Sequence, residues 1–247
     1  PAGLAIWLSG MGNLIAEQTV FPGETWTKRA PAEAGMDTAG LQAFSDLVGG
    51  RGCVVRHGYL VYAWGDAGKR GDVASACKPW FSHFLFKALE DGKLDDVDEK
   101  VAQRWEPRLT NLNGDHGFKD REITWRHFAT QTSCYEITDR PGTAFCYNDW
   151  QMALFWDLLF LKVYGATYDT VDQQVLHPLL TDELQCQDDP TFMAFGTNNR
   201  PGRLGVSPRD FCRFGLLYLH KGKWNGKQLL GEQYAVRAVA NPLPNAL

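Results

Sequence analysis

The apolar residues of this chain fall into helical and alternating periods separated by glycine, proline and polar loops. Asp37 precedes Leu41, Phe44, Leu47 and Val48, which share one helix face, and Gly49-Gly50 follows; the pattern predicts a capped helix. Gly52 to Gly65 is rich in β-branched and aromatic residues and breaks at His57-Gly58, which predicts a β-hairpin with His57 as a turn residue. After a polar loop over Asp66 to Asp72, Trp80, Phe81, Phe84, Leu85, Ala88 and Leu89 form a wide stripe closed by Gly92, the mark of a centrally buried helix. Leu94 to Val97 predicts the start of a second, shorter element, and Thr124 the cap of a helix from Trp125. Gln151 to Val163 predicts a long apolar helix, and Leu176 with Leu179-Leu180 a short one. Residues 181–204 read as loop, including Asn198-Asn199-Arg200-Pro201-Gly202. Ser207-Pro208 then opens a helix whose apolar face holds Phe211, Phe214 and Leu217. Lys223 to Leu230 predicts a small hairpin, while residues 1–33 and the tail from Ala240 to Leu247 show little period.

Composition bounds these elements. The chain has 247 residues, 44% hydrophobic and 22% charged, enough for a sizeable core in one large domain or two interleaved lobes. Nine tryptophans suit a thick core or a cleft with flat walls. A net charge of -4 without a dense basic run argues against nucleic acid as a partner. Met152 to Phe160, among the longest apolar stretches, is far too short to span a membrane and carries Asp157. No basic segment precedes Leu4 to Leu8, so no signal peptide is read there. Cysteines at 53, 77, 134, 146, 186 and 212 match no zinc spacing and read mainly as reduced, buried apolar residues. Asp95, Asp96, Asp98 and Glu99 lack the glycine and spacing of a calcium loop and read as a solvated helix start. No metal and no cofactor is expected.

The candidate chemistry lies in Val73-Ala74-Ser75-Ala76-Cys77-Lys78-Pro79-Trp80. Three residues apart on a helical turn, Ser75 and Lys78 share a face, and a lysine there can ease removal of the serine proton. Alone, the tetrad reads first as a helix cap followed by a solvated lysine, and only its context favours the nucleophile. Pro79 disfavours the helical conformation at Lys78, so either the first turn is irregular or the helix begins late with Pro79 in its first turn.

Around this tetrad stand, in order, the N-terminal helix and hairpin, Glu90-Asp91-Gly92-Lys93-Leu94, Gln131-Thr132-Ser133, Pro141-Gly142-Thr143-Ala144-Phe145 and Tyr147. Gly205 to Asp210, Phe214 to Leu219 and Gly222 to Lys227 follow. Over roughly residues 34–235 this order resembles the serine β-lactamase-like family: class C β-lactamases, DD-peptidases and related esterases. The resemblance implies an α/β plus α, β-lactamase/transpeptidase-like fold. Residues 1–74 would supply the helix and hairpin of an incomplete antiparallel sheet, 75–235 a mainly helical lobe, and 236–247 a tail that stops before further strands.

The resemblance also implies roles. Ser75 would be the nucleophile that forms an acyl-enzyme, Lys78 its close proton partner, and Tyr147 the general base or proton shuttle. The family's Tyr-x-Asn stands here as Tyr147-Asn148-Asp149, which places Asn148 and Asp149 as supporting or substrate-binding positions. An ionised Asp149 accepts but cannot donate, and would pair with Lys78. The family's Lys/His-x-Gly is not found after Lys223 to Leu230; His220-Lys221-Gly222 fits the letters but sits at a helix end. The implied activity is hydrolysis of small esters or amides, an esterase before a β-lactamase, in a bacterial extracytoplasmic setting, with self-association through an open sheet edge. The alternative is a truncated, inactive relative that binds a ligand without turning it over.

Overall fold

The computed structural model describes residues 19–135, 137–195 and 200–240. The stretch Leu4 to Leu8, most of the irregular N-terminal segment, Asn198-Asn199 and the tail beyond Ala240 lie outside the described residues.

Helix α1 (Thr38–Val48) begins where Asp37 accepts the amides of Ala39 and Gly40, at 3.1 and 3.0 Å, and ends at Gly49. These two bonds satisfy donors that a helix start leaves open. Replacing Asp37 by Ala is expected to cost about 1 kcal/mol, read as a lower urea midpoint at unchanged slope. Strands β1 (Gly52–Arg56) and β2 (Tyr59–Trp64) pair antiparallel behind α1, where Phe44 meets Trp64 edge to face at 5.8 Å. The hairpin turns at His57 and Gly58, with φ of +51° and +82°. Glycine is required at 58 because a Cβ there would lie 1.5 Å from the Val20 carbonyl oxygen. Among the described residues this sheet holds two strands, with one parallel bridge from Lys28 to Leu60 on the β2 side.

A second antiparallel sheet replaces part of the expected loop. It is made by β3 (Gly71–Asp72), β4 (Thr191–Ala194) and β5 (Pro201–Val206), in the order β3-β5-β4. Thr191–Ala194 and Pro201–Val206 are thus strand, and β3 lies at the end of what reads as a polar loop. The partners that make these strands stand far apart in sequence: Asp72 pairs with Gly205.

Helix α2 (Lys78–Glu90) is the centre of the molecule. Trp80, Phe81, Phe84 and Leu85 are wholly buried, each contributing about 1.5–3 kcal/mol by leaving water. The expected second element begins later, as α3 (Val101–Arg104), because Leu94 and Val97 are buried in turns. Helix α4 (Trp125–Ala129) has the predicted Thr124 cap, completed by His127. Helix α5 (Asp149–Trp156) starts two residues before Gln151 and widens into a π-helical stretch over Asp157–Val163; a second such stretch spans Asp172–Thr181. Helix α6 (Pro208–Leu219) has the Ser207 cap and stacks Phe214 on Trp80 at 4.5 Å. The small hairpin β6 (Lys223–Trp224) and β7 (Lys227–Gln228) forms as expected. A helix that the apolar pattern does not predict, α7 (Glu232–Val239), packs Tyr234 on Phe86 of α2 at 5.9 Å.

The architecture is α/β plus α: small antiparallel sheets beside a mostly helical lobe. Among the described residues no helix is long and apolar enough to cross a membrane, and no three potential ligands gather into a metal site. The six cysteines are free thiols, four of them intermediate in burial beside buried Cys77 and Cys134; the Sγ atoms of Cys53 and Cys212 lie 3.5 Å apart between β1 and α6.

Candidate active site

Ser75 is delivered by the end of β3. The Val73 amide still donates to Leu204 of β5, at 3.0 Å, before the chain coils into a 3-10 turn over Ala74–Cys77. Helix α2 then begins at Lys78, with Pro79 in its first turn, where the missing N–H costs no intrahelical bond. Lys78 is helical (φ −59°, ψ −36°) although a following proline opposes this, so its placement rests on packing.

Tyr147 approaches from across the pocket, and its Oη is hydrogen-bonded to Ser75 Oγ. Lys78 Nζ donates to the same phenol oxygen at 2.7 Å and lies 4.6 Å from the ring centre. The contacts therefore run Ser75–Tyr147–Lys78, and the lysine reaches the serine through the tyrosine. The Lys78 hydrogen bond, and after it the Ser75 bond, draw the Tyr147 phenol below its ordinary value; partial burial, and after it the negative charge of Asp149, pull the other way. A phenol normally titrates near 10, so this pairing moves it toward the range in which a phenolate can act as a base.

The loop carrying Tyr147 is exposed at its tip but held from beneath. Buried Gln151 donates to Gln131 Oε1 at 2.8 Å and to the Cys146 carbonyl, and accepts from buried Ser133. The Cys146 amide donates to the Gln131 carbonyl at 2.7 Å. Fully paired buried networks of this kind fix geometry, because each broken bond strands a polar group away from water. Gln131 and Ser133, part of the motif order in the sequence, thus act on the site through Gln151.

The two residues after Tyr147 separate. Asn148 caps α5 by accepting the Gln151 amide at 2.8 Å. Asp149, in the first turn of α5, lines the pocket with Ser75 and Lys78, but the ion pair expected between Asp149 and Lys78 does not form; the ammonium is turned to Tyr147 instead. His220 closes α6 and packs edge to face on Phe21 at 4.9 Å, which confirms that His220-Lys221-Gly222 is a helix end.

The far wall of the pocket is β5 with the segment just before it: Phe195, Arg200, Gly202 and Arg203. Arg200 is tied to Asp157 (Nε to Oδ1, 3.0 Å), and Arg203 to Asp72 at 2.8 Å. The sequence pattern misses this wall, since a stretch opening with Pro201-Gly202 carries turn signals. The only cue for Gln151 is a polar residue opening an apolar run. The enclosed volume is about 50 Å³, well below the roughly 300 Å³ of a site that engulfs its ligand. Ser75 therefore faces a shallow depression that admits a reacting group and leaves the remainder of a ligand outside.

No family model matches the chain, and no curated protein matches it in sequence. Its structure is similar to that of a protein assigned as a 6-aminohexanoate-dimer hydrolase from Bacillus anthracis, at 15% identity and a TM-score of 0.61, over 80% of this chain and 61% of that one. An octameric penicillin-binding protein homologue from Pyrococcus abyssi aligns at 14% identity and a TM-score of 0.56, over 85% and 62%. A penicillin-binding protein from Bacillus halodurans aligns at 16% identity and a TM-score of 0.52, over 72% and 66%. The chain thus spans about 61% of the length of the first of these. At such identities the likeness is one of fold.

Proposed function

We propose that this chain, which has the fold of the serine β-lactamases and penicillin-binding proteins, is a serine hydrolase that works through an acyl-enzyme on small esters or amides. The observation that carries the reading is the contact series Ser75–Tyr147–Lys78. Tyr147 as phenolate, stabilised by the Lys78 ammonium, takes the Ser75 proton while Oγ forms a bond to the substrate carbonyl carbon. The Ser75 amide is one donor for the oxygen that becomes negative. Collapse of that intermediate breaks the bond to the leaving alcohol or amine, which takes the proton from Tyr147. Water, losing a proton to the same phenolate, then bonds to the acyl carbon; the bond to Ser75 Oγ breaks, Oγ takes that proton from Tyr147, and the acid is released with serine and phenolate restored.

An ester suits the site better than an amide, because an alcohol leaves with less help than an amine. The shallow pocket, and the exposed rings of Phe145 and Trp150 on either side of Tyr147 in sequence, favour an apolar group that projects outward. Short-chain p-nitrophenyl esters and a fluorophosphonate probe test the reading. Turnover of the esters, faster than of a chromogenic cephalosporin, and a single label on Ser75 are expected. Neither turnover nor label would sink the enzyme and leave a protein that binds its ligand without reaction.

A further inference from the structure

The residue before Ser75 is held in an unusual shape. Ala74 has φ of +48°, in the left-handed region. There its Cβ crowds the neighbouring carbonyl, a cost that glycine escapes and that Asn or Asp offsets by local hydrogen bonds. Alanine has neither recourse, so neighbouring groups must hold it. The strongest contact is with Asp72: its Oδ1 accepts the Ala74 amide at 2.7 Å, while its Oδ2 accepts from Arg203 at 2.8 Å. Arg203 is seated over the Phe195 ring, 4.1 Å from its centre, and its hydrogen bond, with that of the Ala74 amide, keeps the Asp72 carboxyl below its usual range. The β3–β5 pairing, Asp72 opposite Gly205, keeps both partners in register.

We propose that Asp72, oriented by Arg203, is a positioning residue for the nucleophile. Its carboxylate clamps the Ala74 amide and holds the backbone turn that presents Ser75 to Tyr147. The proposal rests on the reading of Ser75 as nucleophile. Asp72 makes no bond to Ser75 Oγ and does not itself line the pocket; it reaches the nucleophile through the Ala74 backbone, and its other partner, Arg203, stands in the far wall. Glycine at 74 adopts a positive φ without help, and this separates the clamp from a general loss of structure.

Five proteins decide the matter: the parent, Asp72→Ala, Asp72→Asn, Ala74→Gly, and the double variant Asp72→Ala with Ala74→Gly. The rate of fluorophosphonate labelling and the steady-state constants on a p-nitrophenyl ester are measured for each, with a thermal melt to verify folding. Asp72→Ala is expected to slow labelling and kcat on the order of 10- to 100-fold at nearly constant KM, the signature of a misplaced reacting atom. Ala74→Gly keeps close to the parent rate, and the double variant regains most of what Asp72→Ala lost. Asp72→Asn, which still accepts the Ala74 amide, stays within a few fold of the parent. Should Asp72→Ala not fold, Arg203→Met takes its place, with a loss in the same direction that Ala74→Gly again restores. A parent that labels and turns over, joined to an Asp72→Ala that does so equally fast or a loss that Ala74→Gly does not mend, overturns the clamp and leaves the nucleophile standing. A parent that neither labels nor turns over overturns the nucleophile, and the clamp with it.

Discussion

Replacing Ser75 by Ala is expected to reduce ester turnover on the order of 10⁴-fold or more and to abolish fluorophosphonate labelling, with the melting curve unchanged. The size follows from the chemistry. Without Oγ there is no atom to carry the acyl group, and the remaining pocket can only orient an ester toward water. Tyr147→Phe is the companion change. It keeps the ring and removes only the oxygen on which Ser75 and Lys78 converge. A loss of about 10²–10⁴-fold is expected, the usual contribution of one acid–base group. The pH dependence separates the roles: kcat/KM of the parent should rise with pH as the phenol ionises, along a limb centred below the ordinary phenol value, and Tyr147→Phe should lack that limb. Full turnover by Ser75→Ala would remove the serine from the mechanism.

The second large effect concerns stability in acid. His83 lies on the wholly buried face of α2, against Phe84, Phe214 and Tyr218. Its Nδ1 is bonded to Tyr218 Oη at 3.0 Å, and its Nε2 has no partner. Burial, with a smaller push from the Lys87 charge, lowers its pKa to about 3. The unfolded chain binds a proton at His83 near pH 6.5 and the folded protein does not until about pH 3. The folded state is thus fully favoured above pH 6.5 and loses ground steadily as pH falls toward 3. Between pH 6.5 and 5 the loss is roughly 2 kcal/mol, before most carboxylates begin to titrate. The urea midpoint should therefore fall across that window, and in His83→Leu much of the fall should vanish. A smaller slope remains from His127, whose pKa burial also lowers. A midpoint in the parent that stays level from pH 7 to 5 would contradict this account.

What could be foreseen in the residues depended on how local its cause was. The Asp37 and Ser207 caps, the His57-Gly58 turn and the Gly92 stop are decided within a few residues, and each formed where the pattern put it. The late start of α2 was one of the two outcomes that Pro79 allowed. Strands β3, β4 and β5 were not legible. Two residues of Gly71-Asp72 show no alternation, and β5 opens with a proline and holds two glycines; β3 is a strand only because it finds β5 across more than a hundred residues, while β4 and β5 pair with each other nearby. The start of α7 was missed because Gly231 gives it no side-chain cap. At the site, Ser75, Lys78 and Tyr147 were read from a resemblance in motif order, and their convergence on one oxygen is what the fold adds. The Asp149–Lys78 pair failed because the ammonium has a nearer acceptor. Asp72, Arg203 and Gln151 act through partners far away in the chain, and no local pattern announces such residues.

The pairing of Gly71-Asp72 with Gly205-Val206 also bears on how the molecule acquires its chemistry. Hydrogen bonds spanning so long a loop form late, because the entropy of closing the loop must be met before the contact returns anything. A chain emerging from synthesis carries Ser75 long before Arg203 exists. Until β5 arrives, Ser75 is an ordinary hydroxyl on an unformed turn. On the proposed function, such a chain stays unreactive until this pairing forms.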